Sequence, residues 1–280
     1  MSKDLTTKRI LHRKLFAILL FIYIIGLFNS CNQLNEPITV ENFGGFCLTF
    51  DDTFAKEWES IIGLLDSNNV KATFFVTRIN RFSQSEIEAL QNLYNAGNEI
   101  GCHTLNHANA LTYFPRRTLK EYLDKEIKPV LNQLKIIDIV PTSFAFPNGY
   151  TNDSLNTELL KYFKVLRIIS EEQRKDYVAK VNVLNDIYYK FDNSRILSAL
   201  GIDHNFKIDI ELIKEGFERA KMNNEVIIFY AHRPVNVVWA DYQIEKKFLR
   251  DIIHLAKEMG LKNYKFSDLV NADISLKTLN

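Results

Sequence analysis

The sequence predicts an α/β fold, a parallel sheet covered by helices, and three observations predict it. Apolar strand-like runs alternate with segments of helical period from about residue 43 onward. Those runs end on ionisable residues: Asp51 and Asp52 after the first, His103 and His107 after the third, His232 after a late one. In barrels of alternating strands and helices, chemistry gathers at the C-terminal strand ends. Composition supports a well-filled core, with 46% hydrophobic and 25% charged residues in a chain of 280. Lys plus Arg number 35 against 34 Asp plus Glu, so no net field draws nucleic acid to the chain.

The N-terminus is a different kind of sequence. Lys3, Lys8, Arg9, Arg13 and Lys14 precede "LFAILLFIYIIGLF", an uncharged run over residues 15–28. That run is short of the roughly 20 residues a helix needs to span a bilayer, and it suits a signal-peptide core. Ser30 then stands directly before Cys31, a pattern that resembles a bacterial lipoprotein signal. The expectation is a signal peptide over 1–30 and a polar tether over 31–42. Cys31 would be lipidated and the mature protein held on a membrane in the cell envelope. An uncleaved N-terminal anchor is the alternative, and it too exports and tethers the domain. The folded part is then 43–280, read as one domain because no Ser/Gly/Pro-rich linker or repeat interrupts it. Cys47 and Cys102 fall in buried strands and are expected as free thiols, since two cysteines make no disulfide framework.

Taken in order, "GGFCLTF" reads as a strand. "AKEWESIIGLLDSNN" follows with Trp58, Ile61, Ile62 and Leu65 at helical spacing. "VKATFFVT" is a buried strand. The helix "SQSEIEALQNLYNAGN" opens on a capping box at Ser83 or Ser85 and stops near Gly97. "EIGCHT" is the third strand. A long helix spans residues 116–135, with Pro129 inside it as a kink. "TSFAFP" is a strand, residues 152–163 a helix capped by Asn152 or Asp153, and "KVLRIIS" a strand. Residues 171–205 give no clear pattern. A helix over 210–224, the strand "EVIIFYAH" and a last amphipathic helix over 242–260 complete the series.

Adjacent carboxylates repel one another, and a buried one is costly without positive charge nearby. "HTLNH" sets two histidines four apart, so on a helical turn both imidazoles face one side. With one aspartate they make a His₂-carboxylate set. Three protein ligands and an open position suit a catalytic Zn²⁺; Co²⁺, Ni²⁺ and Fe²⁺ are also tolerated by such ligands. The other aspartate, beside an activated water, is then a general base. Cys102 is left out, because side chains alternate along a strand and it points away from the face that His103 uses. A pair of histidines met by accident on a surface helix is the bland alternative.

In order along the chain, "TFDD", "HTLNH", "FAFPNGY" and "FYAH" resemble the motifs of the NodB-type polysaccharide deacetylases, from about Phe46 to Val270. The resemblance implies a distorted (β/α) barrel with fewer than eight parallel strands and a metal-dependent hydrolase that removes N-acetyl groups from an acetylated polysaccharide. It assigns Asp51 as base, and Asp52, His103 and His107 as ligands of a divalent metal, Zn²⁺ first. His232 becomes the acid for the departing amine, and the backbone N–H of Asn148 an oxyanion donor. O-acetyl ester cleavage on xylan-like glycans and a catalytically silent carbohydrate-binding barrel are the other readings.

The sequence departs from that pattern twice. Where the family motif often begins with an Arg that pairs with the base, this chain has Ala145; Arg167 on the next strand is a candidate substitute or substrate contact, or else a surface residue. The family's later Asp-and-Trp motif, which buttresses the acid His, is not recognisable, and Asp186, Asp192 and Asp203 are all candidates for the carboxylate. Tyr150 beside the oxyanion turn and Trp239 beyond His232 are candidate sugar-binding aromatics. Tyr113 and Phe114 are weaker ones of the same kind. His12, His204 and His254 receive no role.

Overall fold

Strand β1 (Gly45–Asp52) sets the pattern for the whole sheet. Phe46, Leu48 and Phe50 pack outward under the helices, whereas Cys47 packs inward, so Thr49 and Asp51 share its inner face by alternation. In the computed structural model, which describes residues 43–175 and 180–270, the other strands are β2 (Thr73–Val76), β3 (Glu99–Cys102), β4 (Ser143–Ala145), β5 (Val165–Ile169), β6 (Tyr188–Tyr189), β7 (Ile196–Gly201), β8 (Val226–Ala231), β9 (Arg233–Val235), β10 (Gln243–Glu245) and β11 (Lys262–Tyr264). Residues 1–42, with the expected signal peptide, tether and Cys31, lie outside the described residues.

Seven parallel strands run β1-β2-β3-β4-β5-β7-β8, and β8 pairs back onto β1 to close the barrel. This is the distorted barrel with fewer than eight strands that the sequence led us to expect. Pairing is sparest between β3 and β4, which share a single register pair, Cys102 with Phe144. Two short strands fill in at the opposite end. β11 pairs with Gly45–Cys47 while β2 takes Thr49–Asp52, and antiparallel β6 pairs with the start of β8 while β7 takes its end. β9 and β10 form a separate parallel pair outside the barrel.

Inside, Phe75, Ala145, Val165, Leu197, Ala199, Ile228 and Tyr230 pack with Cys47, and Phe266 and Leu269 close the end away from the site. Glu99 is buried there and accepts hydrogen bonds from the Thr73 and Ser143 hydroxyls and the Ser267 N–H. Cys102 packs on the outer face, and both cysteines are free and buried.

Some elements differ from the expectations in boundary and form. The first helix is two, Ala55–Glu59 and Ile62–Ser67. Ser83 rather than Ser85 heads the helix Gln84–Asn95, with its N–H bonded to Glu86 at 2.7 Å. Asn152 rather than Asp153 caps the helix Asp153–Leu159, accepting the Leu155 N–H. The long helix begins at Leu119 and passes through a π-helical turn, Leu123–Ile127, before resuming as Lys128–Ile136. Pro129 is the reason: it lacks the N–H that would reach Lys125, and its ring crowds that carbonyl, so the helix widens. The unclear section after 171 holds the helix Glu171–Lys175 and strands β6 and β7.

Candidate active site

A cleft of about 480 Å³ opens at the C-terminal end of the barrel and is lined by Asp51, Asp52, His103, His107, Asn148 and His232, among others. The two carboxylates are the last residues of β1, held by pairing with Phe75 and Val76. Asp51 points into the barrel with Thr49 and Cys47. Asp52 has a φ of 93°. This left-handed backbone, unusual for a residue other than glycine, turns the second carboxylate over the barrel mouth toward the histidines.

His103 directly follows β3 on the inner face. Its Nδ1 lies 2.8 Å from the Ala145 carbonyl. That acceptor fixes the proton on Nδ1 and leaves the Nε2 lone pair free. Nε2 of His103 lies 3.8 Å and Nε2 of His107 3.3 Å from Asp52 Oδ1. Burial, only partly offset by the charges of Asp51 and Asp52, pushes His103 down to about 4, so it is neutral at physiological pH. One ligand atom from each of Asp52, His103 and His107 falls within 4.8 Å of the others. A neutral imidazole with its second nitrogen already bonded, a second imidazole and a carboxylate make a donor set that fits a divalent metal.

The "HTLNH" segment is not the helical turn expected from its spacing. Thr104 and His107 have φ values of 63° and 59°, which no right-handed helix allows. The imidazoles meet because the chain doubles back in a loop, where the Ala108 N–H bonds to Thr104 Oγ1 at 3.0 Å.

Arg167 is fully buried, so neither a surface position nor a substrate contact describes it. Its Nη2 donates to Asp51 Oδ2, and its guanidinium lies 5.5 Å from the Phe75 ring and 5.0 Å from the Tyr230 ring. In register, Arg167 is the partner of Ala145 on the neighbouring strand. The cation beside Asp51 thus comes from the strand next to Ala145, at the same level of the barrel. Burial would raise the Asp51 carboxyl, but the charge and hydrogen bond of Arg167, aided by His232, outweigh it and hold Asp51 below the ordinary carboxylate range. Among the described residues, Asp51 Oδ1 has no hydrogen-bond partner.

His232 follows β8 and is held by Asp203, which receives both its ring Nδ1 at 2.6 Å and its backbone N–H at 3.0 Å. Of the three candidate carboxylates only Asp203 reaches it; Asp186 bonds Ser170 and the Glu171 N–H, and Asp192 bonds the Ser194 N–H. Burial alone would lower the imidazole, yet the Asp203 bond and charge, aided by Asp51 and Asp52, hold it above its usual value. Trp58 Nε1–H donates to the His232 carbonyl at 2.9 Å and fixes the strand end.

Asn148 stands in the turn Pro147–Gly149 with φ of 58°, and Arg174 donates to its carbonyl at 2.8 Å. The same guanidinium lies 4.0 Å from the ring centroid of Tyr150, which lines the cleft. Trp239 is 71% exposed and lies outside the cleft lining, beside Arg233. Tyr242 instead lines the cleft, with its ring edge-on to His232. Arg174 and Tyr242 carry no motif that marks them in the sequence, and Asp203 stood there only as one of three candidate carboxylates.

Fold and site together define a distorted (β/α) barrel with a metal-suited Asp-His-His set and two further ionisable pairs facing it. Residues 44–163 match the family model described as "Polysaccharide deacetylase". The fold is similar to that of a chitin deacetylase from the fungal pathogen Colletotrichum lindemuthianum, at 15% identity and a TM-score of 0.53, covering 82% of this chain and 89% of that one. Bacillus subtilis PdaA, a family 4 carbohydrate esterase, aligns at 16% identity and a TM-score of 0.52 over 81% of this chain and 80% of its own. The Xyl-CE4 domain of a multidomain xylanase from the hindgut metagenome of Trinervitermes trinervoides gives 15%, 0.50, 81% and 90%. No curated protein matches the chain.

Proposed function

We propose that this protein is a metal-dependent deacetylase that removes N-acetyl groups from an envelope or extracellular polysaccharide. The single observation that carries the reading is the convergence of Asp52, His103 and His107 beside an aspartate paired with a buried arginine and a histidine paired with a buried aspartate. The match of residues 44–163 to the polysaccharide deacetylase model supports it.

In this reading Asp52, His103 and His107 hold a divalent metal, Zn²⁺ first. When bound there, such an ion polarises an acyl oxygen and lowers the pKa of water, which brings amide hydrolysis within reach at neutral pH. Asp51 accepts the proton of the attacking water; one carboxylate oxygen is taken by Arg167, which leaves Oδ1 for that proton. The Asn148 N–H donates to the developing oxyanion. His232, whose imidazolium form Asp203 favours, gives its proton to the leaving amine. Tyr150 and Tyr242 offer aromatic faces to a sugar ring in the cleft. Arg167 acts on Asp51 and not on substrate.

The test is acetate release from chitooligosaccharides, peptidoglycan fragments, poly-N-acetylglucosamine and acetylated xylan, with Asp51→Asn as control. Release from an amide substrate that disappears in Asp51→Asn is the expected outcome. Release confined to acetylated xylan would favour the ester reading. The variant His232→Ala separates the two further. Amide cleavage should fall about 10²–10⁴-fold without the acid, whereas an ester, with its better leaving group, should lose far less. Glycan binding without turnover by any substrate would favour a silent barrel. On the pattern at residues 15–31 we place the enzyme on a membrane of the cell envelope, tethered through a lipidated Cys31. Incorporation of labelled fatty acid that is lost in Cys31→Ser tests this placement.

A further inference from the structure

The chain between His103 and His107 is held by a residue outside the site. Glu126 is 5% exposed and sits in the π-helical turn Leu123–Ile127. Its Oε2 accepts the Asn106 N–H at 2.8 Å, its Oε1 accepts the Asn106 side-chain amide at 3.0 Å, and its main-chain carbonyl accepts the Leu105 N–H at 2.8 Å. One residue thus receives both backbone donors at the apex of the histidine loop. No lysine or arginine among the described residues forms an ion pair with it. The neighbouring lysines, Lys120, Lys125 and Lys128, are turned to Asp124 and Glu121. A buried carboxylate without a cationic partner is costly, and its hydrogen bonds here all go to that loop.

The helix presents Glu126 because Pro129 prevents a regular ladder. Widened turns tilt carbonyls out of the helix and recur at functional sites. The loop in turn needs support, because Thr104 and His107 both occupy left-handed backbone.

We propose that Glu126 is a positioning residue of the metal centre. It locks the 104–107 loop so that His103 and His107 present their Nε2 atoms to Asp52 before any ion arrives. This rests on the reading of Asp52, His103 and His107 as ligands. Without the lock, binding must first order the loop, and affinity falls while the barrel stays folded.

The experiment is Zn²⁺ affinity by competition with a chromophoric chelator, on the full chain, with the thermal midpoint of the metal-free protein measured alongside. Loss of outer partners of metal ligands typically weakens binding about 10–100-fold, and Glu126→Ala should fall in that range. Glu126→Gln keeps the shape and should weaken binding by less. Asn106→Ala removes an exposed side chain, so it cannot fail for want of a core, and it should also weaken binding. A residue that merely holds the helix would lower the metal-free midpoint and leave the affinity of the folded protein alone. Unchanged Zn²⁺ affinity in folded Glu126→Gln and Asn106→Ala overturns the proposal. Absence of Zn²⁺ uptake by the wild type would instead overturn the ligand reading, and the proposal with it.

Discussion

In the proposed mechanism two ion pairs, each with at least one buried partner, set the chemistry of the site, and each makes its own prediction. Arg167 holds Asp51 below the ordinary carboxylate range, and Asp203 holds His232 above the ordinary imidazole range. A base that must be ionised and an acid that must be protonated give a bell-shaped rate profile. Its acid limb follows Asp51 and its alkaline limb follows His232, so the pKa shifts widen the plateau at both ends. Asp203→Asn removes the charge that favours the imidazolium, so His232 loses its proton at lower pH and the alkaline limb moves to lower pH. A limb that stays in place in a pH–rate profile would refute that role for Asp203. Arg167→Ala leaves Asp51 buried without its cation. Breaking one side of such a pair costs about 3–5 kcal/mol, read as a fall in the denaturant midpoint at neutral pH, and the acid limb should move to higher pH. The sign of the wild-type effect is fixed by the depressed pKa. The Asp51 contribution to stability is fully present above its unfolded value of about 3.9, and is lost as pH falls through the lower folded value.

At the scale of elements, β4 and β5 place two neighbouring positions from which a cation could pair with Asp51. Ala145 and Arg167 are register partners and both belong to the inner face. The double variant Ala145→Arg with Arg167→Ala should therefore recover much of the stability and activity that Arg167→Ala alone loses. No recovery would mean that the charge acts only from β5. β3 carries a tighter constraint. A Cβ at Gly101 would lie 2.4 Å from the Phe75 ring and 2.9 Å from Ser143 Oγ. Gly101→Ala should cost about 1–3 kcal/mol by overpacking, seen as a lower melting midpoint, because the strand that carries His103 must move. The strands and most helices were legible in the sequence, because hydrophobic period and capping residues report local structure directly. The histidine loop departs from the helical turn its spacing suggests, because spacing alone does not reveal left-handed backbone at Thr104 and His107. Strands β9, β10 and β11 have three residues each, too few for alternation to register.

For the whole molecule, the site exists because barrel closure brings together residues far apart in sequence. Asp51 meets Arg167 across 116 positions, and Asp203 meets His232 across 29. Asp52, His103, His107 and His232 stood out in the sequence because they sit at strand ends in short motifs. Asp203 was one of three equal candidates, since partner choice depends on the order of β7 and β8 around the barrel. Glu126 was not visible at all; its role comes from a helix packed behind the loop. The proposed metal dependence is tested by a Zn²⁺ titration of chelator-stripped protein, with bound metal and acetate release from N-acetylated oligosaccharide followed in the same sample. Release should rise in step with bound metal and level off at one ion per chain, and Asp52→Ala should lose both. Acetate release that persists at full rate in the stripped protein would contradict that dependence.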